Sequence, residues 1–154
     1  MGITPKFTKK DVGNRFDKVL AVIEKRQIQR MQYLGEMCVS HARSIPASVG
    51  YTDRTGNLRS SIGYVVFKDG IAVHENYSNV NDGSEGVIAG QTLAKKVGAK
   101  YKNGISLVVT AGMNYALAVE ARGRDVLASA EIMAKQELPK MLAQLKNNIN
   151  KATL

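Results

Sequence analysis

From Thr8 to Ile45 the chain carries an apolar stripe at helical spacing, and no other feature restricts its possible folds as much. Val12, Phe16, Val19, Leu20, Ile23, Ile28, Met31, Leu34, Cys38, Ala42 and Ile45 recur every three or four residues, the mark of one amphipathic helix. Thr8 with Asp11 has the spacing of a capping box, and Phe7 with Val12 that of a hydrophobic staple. Pro46 ends the segment, because the residue before a proline is pushed out of the helical region. At a rise of about 1.5 Å per residue the rod would be roughly 55 Å long. That exceeds what a compact domain of this size needs. The stripe also drifts near Arg26-Gln27, which leaves two alternatives: a break there, or an unbroken helix that packs against a neighbouring subunit.

The rest of the chain has room for one domain around this rod, spanning 1–154. Residues 46–61 are rich in Gly, Asp, Asn and Ser, a loop with one helical turn at its end. Ile62 to Phe67 and Ile71 to Tyr77 are β-rich runs about Asp69-Gly70, a strong hairpin signal. Residues 78–103 are polar and glycine-rich and read as a long flexible surface loop, with a short helix around Thr92–Val97. Ile105 to Thr110 gives a third strand. A short helix is expected over Met113–Glu120, a turn at Arg122-Gly123-Arg124, and a last helix capped by Asp125 that kinks or restarts at Pro139. This order defines an α+β fold: a long N-terminal helix, a small antiparallel sheet of three to four strands, and a C-terminal helix.

Catalytic chemistry finds little support. Cys38 is the single cysteine, so neither an internal disulfide nor a thiolate-rich zinc site is available. Its place on the apolar stripe marks a buried, inert thiol. His41 follows Ser40 on the long helix, where adjacent residues do not face each other, and His74 alternates within a strand. Glu75 and Glu120 have no spacing that brings them together. Gly83, Gly86 and Gly90 form a loose glycine run with no Lys-Ser/Thr after it, so it lacks the elements of a phosphate loop. The expectation is a protein that is not an enzyme and needs no cofactor or metal. No apolar run approaches the roughly 20 residues of a membrane span, and Met1 to Lys6 resembles neither a signal peptide nor a lipidation motif. Synthesis in the cytoplasm and no membrane partner are expected.

The formal net charge is +9, which favours anionic partners without choosing among them. Lys95, Lys96, Lys100 and Lys102 cluster near the 78–103 loop. Lys25, Arg26 and Arg30 share part of the first helix, with Lys9, Lys10 and Arg15 near its start. These groups form either a solvated cationic face or a non-specific phosphate contact. No recognition helix, zinc knuckle or aromatic platform accompanies them, so sequence-specific binding is not expected.

One stretch is more distinctive. Thr55-Gly56-Asn57-Leu58-Arg59-Ser60-Ser61-Ile62 lies between the long helix and a β-run, and Tyr115-Ala116-Leu117-Ala118-Val119-Glu120 follows the last strand. Together, in this order, they resemble the head–tail joining and tail-completion proteins of the neck of long-tailed bacteriophages. In that family Tyr-Ala-x-x-Val-Glu is usually followed directly by glycine; here Ala121-Arg122 intervenes before Gly123. The small-residue and proline motif before the last helix is missing. The resemblance covers most of the chain and implies a non-catalytic virion protein, assembled in the host bacterial cytoplasm. Such a protein forms a ring, with a hexamer as one candidate size, on the upper end of the tail. It contacts neighbouring neck and tail proteins and, non-specifically, passing DNA.

The motif residues have physical readings of their own. Gly56 permits a tight turn, Asp53 and Thr55 satisfy free backbone N–H groups, and Leu58 anchors the loop in the core. Arg54 and Arg59 are expected to project toward acidic partner surfaces. Tyr115, Ala116 and Val119 are expected to pack inward, with Glu120 holding an arginine of the loop. A small basic nucleic-acid-binding module is the alternative function.

Overall fold

The computed structural model describes Gly2, Thr4 and residues 6–152. Its first element, α1 (Lys9–Ser44), is one unbroken helix of 36 residues. The capping box forms: Thr8 Oγ1 accepts the Asp11 N–H at 3.2 Å and the Asp11 carboxylate accepts the Thr8 N–H at 2.7 Å. These two bonds satisfy donors that a helix start otherwise leaves free. At the other end Ile45 is extended, with ψ 122°, as a residue before proline must be. The drift of the stripe marks a change of neighbour rather than a break. Buried residues of α1 begin only at Met31, where the helix lies on the sheet, whereas Val19 and Val22 border the far end of the C-terminal helix.

The sheet has three strands, β1 (Ile62–Lys68), β2 (Ile71–Asn76) and β3 (Ile105–Ala111), in the order β2-β1-β3 with both pairings antiparallel. Asp69 (φ 52°) and Gly70 (φ 81°) form the hairpin turn, whose two positive φ values match the twist of the flanking strands. β1 is covered on both faces. Ile62, Tyr64 and Val66 join the core beneath α1, and Val65 and Phe67 pack with Ala94 on the opposite side. A central strand sandwiched in this way has no polar face, which explains its unbroken apolar run.

The second covering layer corrects the expectation of a loop at 78–103. Residues Ser84–Gly98 form a regular helix, α3, following the single turn α2 (Asn57–Ser60) in chain order. Its buried face is Gly86, Gly90, Ala94 and Gly98, a stripe of small residues four apart. A Cβ on Gly86 would stand 2.0 Å from the Asn57 carbonyl oxygen, one on Gly90 2.5 Å from that of Ser61, and one on Gly98 2.1 Å from the Phe67 ring. These glycines, read singly as breakers, let a helix approach backbone closely; tertiary packing overrides the low helix propensity of glycine.

The C-terminal region holds α4 (Ala116–Ala121), which starts later than the expected Met113, and α5 (Ala128–Ala152). α5 runs through Pro139 without restarting and packs along α1. The architecture is α+β in three layers: α1 with α5, the sheet, and α3.

Candidate interaction surfaces

The Thr-Gly loop is built as its residues demand. Asp53 Oδ1 accepts the Gly56 N–H at 3.0 Å and Oδ2 accepts the Arg59 N–H at 2.8 Å, while Thr55 Oγ1 accepts the Asn57 N–H at 3.3 Å. Gly56 sits at φ 80° and a Cβ there would stand 1.9 Å from the Val80 carbonyl oxygen, so glycine is required twice over. Leu58 is 2% exposed and belongs to the main core. Arg54 is exposed. Arg59 does not project outward: its Nη2 donates to the Ile45 carbonyl at 3.1 Å and its guanidinium carbon lies 5.6 Å from the centre of the Tyr51 ring. The side chain ties the loop back to the end of α1, where a carbonyl left free by the helix terminus needs a donor. Arg43 does the same for the sheet, donating to the Ile62 carbonyl at 2.7 Å.

In the second motif Ala116 is buried and Val119 half-buried, but Tyr115 is 40% exposed rather than packed inward. Glu120 does not hold an arginine. Its Oε1 accepts the N–H groups of Val126, Leu127 and Ala128 at 3.3, 2.9 and 2.7 Å. Those amides form the positive start of α5, where a carboxylate is favoured by both hydrogen bonding and the helix dipole. Asp125 Oδ1 also accepts the Ser129 N–H, at 3.2 Å. The loop arginine and Glu120 thus have separate partners.

Lys95, Lys96, Lys100 and Lys102 are all exposed. They cluster at the C-terminal end of α3 and just beyond it rather than along a flexible loop, and Lys95 and Lys96 lie in the last turn, where the dipole favours cations. Lys95 pairs with Glu75 at 3.1 Å; both are exposed, so the pair contributes little to stability. On α1, Arg15, Lys18, Arg26 and Arg30 line a cleft against Leu145 and Ile149 of α5, and no Asp or Glu is among the described residues that line it.

His41, His74, Cys38, Glu75 and Glu120 are dispersed over the fold. His41 Nε2 lies 2.8 Å from Ser129 Oγ on α5, away from its neighbour Ser40. His74 Nε2 lies 3.0 Å from the Tyr64 hydroxyl, which donates to Glu36 at 2.8 Å. Burial, with Glu36 beside it, pushes the Tyr64 hydroxyl well above its ordinary value. Cys38 is buried, and burial pushes its thiol up. Glu75 and Glu120 serve different elements. Among the described residues no group of three or more His, Cys, Asp or Glu is placed to hold a metal ion, and no helix is long and apolar enough to cross a membrane.

Two apolar surfaces stand out among the described residues. The first is the start of α1, where Phe7, Val12 and Phe16 are 64, 52 and 65% exposed. The second is a groove of about 1120 Å³ bounded by α1, β3 and α5. Leu34, Leu107, Val109, Leu138 and Leu142 give it apolar walls, and the ion pairs Glu24–Lys68 (2.7 Å) and Glu131–Lys135 (2.6 Å) stand among its lining residues. The groove exists because α5 packs along α1 instead of across β3, an edge strand whose apolar side is left partly open. The groove is not legible in the sequence. Its only signal was the apolar character of the third strand and last helix, which periodicity assigns to a closed core.

No protein-family model, curated protein or solved structure matches the chain.

Proposed function

We infer that the protein is a structural virion component of the neck of a long-tailed bacteriophage, acting by binding rather than catalysis. It completes the upper end of the tail and joins it to the head by assembling into a ring through head-to-tail contacts with its own copies. The observation that carries this reading is the exposed apolar start of α1. A helix of 36 residues whose first buried side chain is Met31 presents far more apolar surface than a self-contained domain needs, and such surface marks a protein interface. The resemblance of the Thr-Gly-x-Leu-Arg loop and the Tyr-Ala segment to neck proteins supplies the setting, the virion. Neighbouring neck and tail proteins are the further partners. Native mass spectrometry and electron microscopy of the purified protein, alone and with tail tubes, test the reading. A closed ring that caps tube ends is the expected result; a protein that stays monomeric and ignores tubes defeats it.

The cleft lined by Arg15, Lys18, Arg26 and Arg30 favours a second reading, a small protein that binds nucleic acid through phosphates alone. A DNA titration at several salt concentrations separates the two. Micromolar affinity at moderate salt with a steep salt slope supports nucleic-acid binding as the main role, and a flat, weak response supports the structural role.

A further inference from the structure

The two apolar surfaces fit each other in length, chemistry and charge, and the geometry of α1 prevents them from meeting within one molecule. Residues 9–16 of α1, among which Arg15 alone borders α5, form a leading segment of roughly 12 Å at the helical rise. The α1 wall of the groove runs from Leu20 to Cys38, roughly 27 Å by the same rise, so it accommodates that segment end to end. Phe16 and Val12 supply exposed apolar side chains, and Leu107, Val109 and Leu142 supply an apolar bed. Charge is also complementary. Glu24 and Glu131 pair with Lys68 and Lys135, and Asp69 leaves the groove lining with an excess of one negative charge, on a chain whose formal charge is +9. Residues 6–16 carry Lys6, Lys9, Lys10 and Arg15 against Asp11.

The same helix that begins with this segment forms one wall of the groove, and it is unbroken. A straight helix cannot fold back into a cleft along its own side. The first turns of α1 therefore cannot reach the groove of their own molecule. We propose that the first turns of α1 from one copy lie in the α1–β3–α5 groove of a second copy. Each molecule then offers a helix on one side and receives one on the other, a heterologous contact that closes into a ring when the rotation per subunit permits. This deepens the self-assembly reading and rests on it.

The test uses the full chain with a photo-reactive benzoylphenylalanine in place of Phe16, mixed with isotope-labelled protein. Irradiation is expected to join labelled and unlabelled copies, with cross-linked peptides mapping to residues 104–109 or 134–142. Phe16→Asp and Leu142→Asp, both at exposed positions, are each expected to weaken self-association by roughly tenfold or more with unchanged circular dichroism. Cross-links between copies that map to α3 or β2 overturn this interface while leaving ring assembly intact. A chain that stays monomeric at its highest soluble concentration overturns both.

Discussion

Single side chains here mostly do structural work at element ends. Glu120 is the clearest example, one carboxylate oxygen meeting three backbone N–H groups at the start of α5. Glu120→Ala leaves those donors without their acceptor and is expected to destabilise the fold by roughly 1–3 kcal/mol, measured by chemical denaturation. Because Arg59 binds the Ile45 carbonyl instead, Arg59→Glu and Glu120→Arg are expected to add in the double mutant rather than rescue one another. Leu58→Ala, which empties a core position, is expected to cost about 2–5 kcal/mol in the same assay. Asp53, Thr55, Gly56 and Leu58 were legible in sequence because their roles are local: a side chain meets an amide a few residues away, or a turn requires φ above zero. The roles of Arg59 and Glu120 were not, because charge alone does not say whether a side chain meets a partner protein or the free groups of a distant helix end.

At the scale of elements, α1 and the hairpin were readable because caps, proline and a turn dipeptide act over short range. α3 was not. Its evenly spaced glycines have meaning only once the backbone of Asn57 and Ser61 lies against them, and that proximity is tertiary. Gly86→Ala and Gly90→Ala are therefore expected to destabilise by roughly 1–3 kcal/mol through overpacking. Gly13→Ala on the open part of α1, where a Cβ meets nothing within 4 Å, is expected to stabilise by about 0.5–1 kcal/mol. Thermal denaturation of the three variants checks both signs. The capping box gives a pH dependence. Hydrogen bonds from Thr8 hold the Asp11 carboxyl below its ordinary value of 3.8. Its stabilisation of the first turn is therefore complete above that value and is lost as pH falls through the lower value of the folded state. Hydrogen exchange of the amides of residues 11–13 is expected to accelerate there, well before the sheet opens.

For the molecule as a whole, three layers enclose apolar clusters on both faces of the sheet, while residues 9–20 of α1 are all exposed. Deleting residues 1–18 is expected to leave the sheet and its two helical covers folded, by circular dichroism and a cooperative melt, while abolishing self-association by analytical ultracentrifugation. The α+β class and the element order were visible in sequence because hydrophobic period and turn chemistry fix them. The open groove was not, since periodicity reports that a face is apolar but not whether anything covers it. In the proposed self-assembly, the capping box at the tip of α1 bears on how fast copies join. A segment already wound at its free end arrives ordered, so binding need not supply the roughly 1–2 kcal/mol per residue that fixing a flexible backbone requires. Under that proposal encounter is expected to be limited by diffusion and orientation rather than by coupled folding, with the lifetime of each contact set by how well its side chains are seated.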